Sequence, residues 1–391
     1  MKYHKRFSMA MAVILMMALL SACASTQKTE VAQKTAETPA WMFHDIVDAQ
    51  FVKANVQIPM PENVMIIDSR PFKPKFVAGH IPMAVNIPDT QFDKMVDQLP
   101  QDKAALLIFY CGGLECKLSH KSAAKAEALG YTNVKVFAEG FPNWMSVAGN
   151  YAAVDTAWVQ KQIESGSDMV LVDSRPKRKK YDQGHIPTAI SIPDMDFDKM
   201  TDQLPENKAT LLVFYCGGFK CKLSHKSAEN AIALGYTNVK VFAAGYPAWK
   251  AAVGDSAGGA AAATTTAAAG AAGASQIKAG AEEGSIDIEY FKEVMAESPD
   301  ELYLIDVRDA DEFANGTLKG AVNIPVDTLE EQITSLPTDK PIVFVCGTGA
   351  RSGESYYMVQ DLRPELKSVY YVDGEMTFSK DGSFTITKPG S

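Results

Sequence analysis

The sequence predicts an α/β protein built from three consecutive repeats, each a parallel sheet flanked by helices. The first observation is a duplication, because residues 109–123 return almost letter for letter as residues 214–228. The second is an alternation within each copy of short apolar runs, typical of buried strands, with amphipathic helical stretches. Strands that alternate with helices along a chain form parallel sheets with helices on both faces.

The duplication extends beyond this block in both directions. Residues 67–71 (Ile-Asp-Ser-Arg-Pro) return at 172–176 with Val in first place, and Gly-His-Ile-Pro at 79–82 returns at 184–187. A third, more distant copy contains Asp306, Arg308 and the cysteine segment 344–352. A chain of 391 residues is long enough for several domains of ordinary size. We therefore predict domains at 41–150, 151–253 and 286–391.

The first 22 residues have the pattern of a bacterial lipoprotein signal peptide. A basic start is followed by an apolar stretch and then by Leu-Ser-Ala-Cys at 20–23. This ending resembles a lipobox, which implies cleavage before Cys23 and lipidation of that cysteine. Residues 23–40 are polar and would form a lipidated tether. We expect a protein of the cell envelope, attached by lipid to the outer membrane and facing the periplasm.

Residues 254–285 are almost entirely Ala, Gly, Thr and Ser, which predicts a flexible linker that lets the third domain move independently. The net charge is −9, and Lys residues are interspersed with Asp and Glu rather than gathered in a basic stripe. Nucleic acid is therefore not expected as a partner.

Within each copy, a cysteine follows a predicted strand. Residues 64–67, 105–110, 169–172 and 211–215 are predicted strands, and 119–129 and 224–234 are predicted helices. Ligands bind at the carboxyl ends of the strands in such sheets. The residues that follow strands there are Cys111, Cys216 and Cys346.

A cysteine between a buried strand and a helix is suited to nucleophilic chemistry. Backbone N–H groups and the helix N-terminus stabilise an anion there, so the thiol pKa should fall. The same loop would stabilise a persulfide anion. We expect positive φ at loop glycines, and the loop glycines singled out for anion binding are Gly112, Gly113, Gly217, Gly218, Gly347 and Gly349. The alternative is an inert, buried cysteine.

Together these motifs resemble the rhodanese family. The resemblance covers residues 41–391 apart from the linker and rests on Asp-x-Arg, Gly-His-Ile-Pro, the cysteine loop and Gly-Tyr-x-Asn-Val at 130–134 and 235–239. It implies a sulfurtransferase without a cofactor, in which Cys111, Cys216 and Cys346 form persulfides. The donor would be thiosulfate, polysulfide or another persulfide, and the acceptor a thiol or cyanide.

The cysteine loops differ between copies. The third has the family's common Cys-x4-Arg-Ser pattern, in which Arg351 would attract an anionic donor. The first two are two residues longer and carry Lys117 and Lys222 instead, which suits a less selective oxyanion site. Longer loops in related phosphatases hold phosphate, so a phosphatase remains an alternative.

The first two copies also contain a second cysteine, Cys116 or Cys221. These are either resolving thiols or small buried residues, and a disulfide requires the Cα atoms to lie within about 7 Å. Adding His120 gives Cys-x4-Cys-x3-His, a weak metal pattern that lacks a fourth ligand. Two further functions thus stay open: a thiol-disulfide redox protein, and a non-catalytic binding module.

Other recurring residues are expected to be structural. The arginines of the Asp-x-Arg motifs should pair with a carboxylate, and His80 and His185 should form turns. Trp144 and Trp249 should pack in or beside the core. His120 and His225 are expected to be exposed on the following helix.

Overall fold

A computed structural model of the chain describes residues 39–254 and 277–388. The predicted signal peptide, Cys23 and the tether up to residue 38 lie outside the described residues, as do 255–276 of the predicted linker. From Trp41 onward the chain forms one compact unit, which contains all three repeats.

The first domain is a four-stranded parallel sheet in the order β2-β1-β3-β4. Strand β3 lies in the interior and is apolar throughout, as expected of a strand buried on both faces. Helix α1 begins after Asp48, whose carboxylate accepts a hydrogen bond from the Phe51 N–H and caps the helix. The elements in chain order are α1 (Ala49–Asn55), β1 (Val64–Asp68), β2 (Val85–Asn86), β3 (Leu106–Tyr110), α2 (Leu118–Ala128), β4 (Val134–Phe137) and α3 (Gly140–Ser146).

The second domain repeats this arrangement and adds an edge strand from the connection between the two copies. Its parallel sheet has the order β5-β9-β8-β6-β7. The elements are β5 (Ala152–Ala153), α4 (Thr156–Glu164), β6 (Val170–Asp173), β7 (Ile190–Ser191), β8 (Leu212–Tyr215), α5 (Leu223–Ala233), β9 (Val239–Phe242) and α6 (Gly245–Val253).

The third domain has a parallel sheet in the order β11-β10-β12-β13, followed by an antiparallel hairpin. Part of the predicted linker, residues 277–285, packs here, since the Gly284 carbonyl accepts a hydrogen bond from the Tyr371 N–H and Ile277 lies against the core. The elements are α7 (Ile288–Glu297), β10 (Tyr303–Asp306), α8 (Ala310–Ala314), β11 (Val322–Asn323), α9 (Val326–Gln332), β12 (Ile342–Val345), α10 (Ala350–Leu362), β13 (Val369–Tyr371), β14 (Glu375–Phe378) and β15 (Phe384–Thr387).

The α/β prediction is confirmed in all three copies. The predicted strands match β1, β3, β6 and β8, and the predicted helices match α2 and α5, with bounds that differ by at most one residue. Apolar clusters lie on both faces of each sheet. Each sheet is therefore buried on both sides, as in other α/β folds. Among the described residues, no helix is long and apolar enough to cross a membrane.

Candidate functional site

Three cysteines occupy equivalent places at the carboxyl ends of interior strands. Cys111 follows β3, Cys216 follows β8 and Cys346 follows β12, and each strand is flanked by parallel neighbours. All three side chains are buried, at 0%, 0% and 1% exposure. Each then enters a short loop before a helix, so that backbone N–H groups surround the sulfur.

The Cys111 sulfur lies among hydrogen-bonding groups of its own loop. The thiol donates to the carbonyl oxygen of Cys116 at 3.1 Å, and the Ser119 hydroxyl lies 3.1 Å from the sulfur. In the second domain Cys216 has the same two contacts, with Cys221 at 3.2 Å and Ser224 at 3.1 Å. The duplicated sequences thus fold into duplicated sites.

The third loop is shorter, as its sequence predicted. The Ser352 hydroxyl lies 3.4 Å from the Cys346 sulfur, and the Ser352 N–H donates to that sulfur at 3.4 Å. Ser352 follows Cys346 by six residues, whereas Ser119 follows Cys111 by eight. The serine thus reaches its cysteine in both loop types, which confirms that the first two loops are two residues longer.

The loop glycines have unequal roles. The φ angles are +125° at Gly113, +103° at Gly218 and +73° at Gly349, a region that favours glycine. Among the described glycines, Gly112, Gly217 and Gly347 do not have positive φ, so the expectation of positive φ at Gly112 and Gly347 was wrong. Gly112 and Gly217 instead lie close to the second cysteine of their own loop. A β-carbon at Gly112 would be 3.8 Å from the Cys116 sulfur, and one at Gly217 would be 3.8 Å from the Cys221 β-carbon.

In the first domain the charge of the cysteine pair is favoured on Cys111. Burial opposes ionisation of Cys111, but hydrogen bonds from Cys116, the Ser119 hydroxyl and the N–H groups of Ser119 and Gly113 lower its pKa. The pKa of Cys116 is raised, because it donates to Cys111 and is itself buried. Within the pair, deprotonation is therefore favoured at Cys111, the cysteine that follows the strand.

In the second domain the charge is favoured on the other sulfur. The hydrogen bond from Cys216 lowers the pKa of Cys221 to about 6, and the N–H groups of Gly217 and Leu223 contribute. The pKa of Cys216 is raised by its hydrogen bond to Cys221 and by burial. Cys221 is half-buried whereas Cys116 is only 4% exposed. Burial therefore opposes a thiolate less at Cys221 than at Cys116, in addition to the effect of the hydrogen bond from Cys216.

A glycine from a distant motif fixes the position of each of these two loops. Gly140 begins α3 with φ +62°, and a β-carbon there would overlap the carbonyl oxygen of Cys111. Gly245 has the same relation to Cys216. Sequence reasoning missed this role, although the recurrence of Gly-aromatic-Pro-x-Trp in both copies was the available signal. Trp144 of this motif is buried in the core, as expected, and its indole N–H donates to the Tyr151 carbonyl.

The Asp-x-Arg motifs are structural, as predicted. Arg70 forms a bidentate pair with Asp68 and donates to the Gly79 carbonyl, and both side chains are buried. Arg175 and Arg308 repeat the pairing with Asp173 and Asp306. The motif thereby holds the turns after β1, β6 and β10 in place.

A tyrosine hydroxyl completes this network in the first two domains and a threonine does so in the third. The Tyr110 hydroxyl donates to Asp68 at 2.8 Å and the Tyr215 hydroxyl donates to Asp173 at 2.7 Å. The third copy has Val345 in place of these tyrosines, and Thr317 donates to Asp306 at 2.7 Å. Thr317, which takes the place of the histidine in the other copies, thus supplies the missing hydroxyl.

Comparison with known proteins agrees with these sites. The family model described as "Rhodanese-like domain" matches residues 50–147, 155–252 and 287–377, together well over half of the chain. The chain belongs to the rhodanese-like family. Each match contains one of the buried strand-end cysteines, so the chain carries three rhodanese-like domains in tandem.

Relatives named as sulfurtransferases match parts of the chain. The putative sulfurtransferase YtwF of Bacillus subtilis is 45% identical over 56 residues, which are 14% of this chain and 54% of that protein. A sulfurtransferase of Allochromatium vinosum is 32% identical over 76 residues, 19% of this chain and 70% of that protein. The chain thus spans about half the length of the first of these relatives. The structure of a thiosulfate sulfurtransferase from Pseudomonas aeruginosa is 19% identical, with a TM-score of 0.24, over 88% of this chain and 70% of that one.

The predicted anion-binding cations have different surroundings in the three rhodanese-like domains. Arg351 is buried and donates to both carboxylate oxygens of Glu312, at 2.7 and 3.0 Å. Lys117 contacts Asp311 at 3.1 Å, whereas Lys222 is exposed. Glu312 lies in α8, in a capping box with Asp309, and sequence reasoning did not identify it as the partner of Arg351.

The second rhodanese-like domain has an open cavity at Cys221, the second cysteine of its pair. This cavity has a volume of about 400 Å³. It is large enough for a small anion or the end of a thiol-bearing molecule. Its lining includes Arg175, Lys180, Gly217, Cys221 and Tyr246.

The expectation that His120 and His225 are exposed was wrong. Their exposures are 1% and 2%, and burial lowers the pKa of each to about 4. The His120 Nδ1 accepts a hydrogen bond from the Phe43 N–H, and the His225 Nδ1 lies 3.0 Å from the Tyr151 hydroxyl. Each ring contacts the segment that begins its own domain, so both histidines are structural. Within the described ranges no group of three or more His, Cys, Asp or Glu side chains could hold a metal ion.

Proposed function

We propose that this protein is a sulfurtransferase that moves sulfane sulfur from thiosulfate or a persulfide donor to a thiol acceptor through cysteine persulfides. The observation that carries the proposal is the environment of Cys111. Cys111 follows an interior strand, and its sulfur lies close to the Ser119 hydroxyl and to loop N–H groups. These groups lower the pKa of the Cys111 thiol. Such an environment stabilises a thiolate and, after sulfur transfer, a persulfide anion.

The chemistry requires two displacement steps. A cysteine thiolate attacks the sulfane sulfur of thiosulfate, the S–S bond breaks, and sulfite leaves with the electron pair. An acceptor thiolate then attacks the outer sulfur of the cysteine persulfide, and the cysteine thiolate leaves. Sulfur is transferred without net oxidation of the enzyme, so each cysteine returns to its starting state.

The second domain supports entry of a small anionic donor. Lys180 and Cys221 line the same cavity of about 400 Å³, and the exposed Lys222 follows Cys221 directly. Cations at such a cavity would attract thiosulfate or the carboxylates of a persulfide-bearing thiol. Lysine binds these groups as a point charge, so we expect the cavity to accept several donors.

The contacts of the second cysteines, Cys116 and Cys221, support a role for them as resolving thiols. Cys116 and Cys221 each form a hydrogen bond with the cysteine of their own loop. Attack of the Cys116 thiolate on the inner sulfur of a Cys111 persulfide would form a Cys111–Cys116 disulfide and release hydrosulfide. The pair would thus be oxidised by two electrons and the sulfur reduced to sulfide.

Attachment to the outer membrane through a lipid on Cys23 is part of the proposal. Support comes from the apolar stretch and the Leu-Ser-Ala-Cys ending of the signal sequence. Lipid labelling in a Gram-negative host, compared between the wild type and Cys23→Ser, tests this part. A labelled Cys23→Ser protein would overturn it.

The central experiment is mass spectrometry of the full chain after treatment with thiosulfate. We expect a gain of sulfur atoms on peptides that contain Cys111, Cys216 or Cys346, and sulfur transfer to cyanide that Cys→Ser substitution at these positions abolishes. Loss of two hydrogens from the cysteine pairs without any persulfide would favour the thiol-disulfide function. Unchanged cyanide-dependent activity in the triple Cys→Ser variant would overturn the proposal.

A further inference from the structure

The third rhodanese-like domain covers the cysteine loop of the first. Cys111, Cys116 and Leu118 form one buried apolar cluster with Ala350, the first residue of α10. A β-carbon added to Gly112 would lie 3.6 Å from the Thr348 hydroxyl oxygen. Thr348 and Ala350 belong to the segment that follows Cys346. The loops of Cys111 and Cys346 therefore face each other directly.

The second domain shows what this loop is like without such a cover, because its sequence is nearly the same. Cys116 is buried and Lys117 is half-buried, whereas their counterparts Cys221 and Lys222 are half-buried and exposed. The same difference holds one helical turn later, where Lys121 is half-buried and Lys226 is exposed. The additional burial in the first domain coincides with the surface that the third domain contacts.

Opposite charges line the contact. The first domain contributes lysines and the third contributes carboxylates, which is the complementarity expected of a specific interface. Helix α10 also approaches closely, since a β-carbon at Gly353 would lie 2.8 Å from Pro74 of the first domain. The ion pairs are Lys75–Asp373 at 2.6 Å, Lys117–Asp311 at 3.1 Å and Lys121–Asp309 at 2.6 Å.

Arg351 lies near sulfur atoms of both domains. Burial opposes its charge, but pairing with Glu312 and the proximity of Cys346 and Cys116 raise the pKa of Arg351. The guanidinium is thus a fixed positive charge beside both loops. A negative charge that moves from one loop to the other would remain stabilised by it.

A cavity of about 420 Å³ opens between the two loops. Gly112 lines it from the first domain, and Thr348 and Ala350 line it from the third, with Lys75 and Glu375 also present. A small sulfur donor in this cavity can therefore reach Gly112 and Thr348, which belong to the loops of the two buried cysteines, without separation of the domains.

We infer that the first and third domains form a sulfur relay, in which the Cys346 persulfide passes its outer sulfur directly to Cys111. The Cys111 thiolate attacks the outer sulfur, the S–S bond to Cys346 breaks, and Cys346 leaves as a thiolate. One bond forms and one breaks, so no oxidant or reductant is needed. The relay rests on the proposed sulfurtransferase function. This direction follows from the loops, since Cys346 has no second cysteine of its own and Cys111 has Cys116.

The test follows persulfide formation at each cysteine peptide of the full chain after addition of thiosulfate, with Cys216 and Cys221 replaced by Ser. We expect sulfur on Cys346 first and on Cys111 afterwards. In Cys346→Ser, persulfide formation at Cys111 should slow at least ten-fold. A wild-type rate at Cys111 in that variant would overturn the relay.

A second variant breaks the contact through two residues that do not form hydrogen bonds with the Cys111 or Cys346 sulfur. Thr90 donates a hydrogen bond to Glu354, and Lys121 pairs with Asp309. Thr90→Glu with Lys121→Glu places two new carboxylates against these acids. Met195→Glu with Lys226→Glu makes the same change at the corresponding exposed positions of the second domain, and is the matched control.

In the Thr90/Lys121 variant we expect an unchanged rate of persulfide formation at Cys346 and a rate at Cys111 that is at least ten-fold lower. Both rates should be unchanged in the control variant. Equal rates at Cys111 in both variants would overturn the relay. The relay would also fail if maleimide labels Cys116 of the wild-type chain as fast as Cys221, since the contact would then not form in solution. Absence of persulfide at every cysteine of the wild type would instead overturn the sulfurtransferase function itself.

Discussion

Gly140 lies directly against the carbonyl oxygen of Cys111, although 29 residues separate them in the sequence. The Phe141 N–H donates to the same oxygen at 3.0 Å, so the start of α3 is fastened to the cysteine loop. The second domain repeats both features with Gly245, Tyr246 and Cys216. The positions of Cys111 and Cys216 therefore depend on segments that lie beyond the next strand.

Gly140→Ala is expected to destabilise the protein and to misplace Cys111. The φ of +62° costs about 1–2 kcal/mol for a residue other than glycine, and the overlap with the Cys111 carbonyl adds to that cost. Chemical denaturation and the rate of persulfide formation at Cys111 measure the two effects. Gly130→Ala is the control, since Gly130 has φ +89° but no atom within 4 Å of the added carbon. Equal losses in the two variants would contradict the role of the close contact.

Removal of the hydroxyl from Thr317 is expected to weaken the third domain. Asp306 is buried, and Thr317→Val leaves one of its oxygen atoms without that donor, at a cost of about 1–3 kcal/mol. Tyr110→Phe removes the equivalent donor to Asp68 in the first domain and should have a similar cost. Denaturation of each variant measures the change in the free energy of unfolding. A stable Thr317→Val protein alongside a weakened Tyr110→Phe protein would show that the two hydroxyls are not equivalent.

The sequence predicted the fold and the cysteine positions, because these depend on local patterns. Apolar runs and the duplicated motifs defined β3, β8 and the helices after them. The shorter third loop was also visible, since it follows from the spacing of Cys346 and Ser352. Such features need only the order of residues along one domain.

Relations between distant segments could not be predicted from one sequence. Burial of His120 depends on Phe43, which precedes the first sheet. The pairing of Arg351 with Glu312 depends on where α8 lies in three dimensions. Contact between the first and third domains is made by ion pairs whose residues are scattered along the chain and follow no sequence period. The composition of the linker before the third domain predicted independent motion instead.

Cys221 is expected to be the more reactive thiol of its pair near neutral pH. Since its pKa is about 6, the alkylation rate of Cys221 by iodoacetamide should rise through pH 6 and level off above about pH 7. Cys216→Ala removes the hydrogen bond that stabilises this thiolate, so the midpoint should move upward. Peptide mass spectrometry across a pH series gives both curves. A midpoint above pH 8 in the wild type would contradict the role of the Cys216 hydrogen bond.

Docking of the third domain on the first is expected to weaken as the pH rises. Burial raises the pKa of Glu354 to about 7, with a hydrogen bond from Thr90 and the Arg351 charge opposing this rise and Asp327 and Asp89 adding to it. Docking therefore takes up a proton between the ordinary carboxyl pKa of 4.5 and about 7. Docking is strongest below this window and loses stability as the pH rises through it, because the half-buried carboxyl must then ionise.

Hydrogen exchange in α2, compared between pH 5.5 and 8 after correction for the intrinsic rate, measures the docking equilibrium. Protection around Lys121 should fall at the higher pH in the wild type. In Glu354→Gln it should hardly change, because the amide does not titrate. Helix α5 of the second domain is the internal reference, since its sequence is similar. A fall in protection of equal size in α2 and α5 would show that the pH acts on the domains themselves and not on the Glu354 contact.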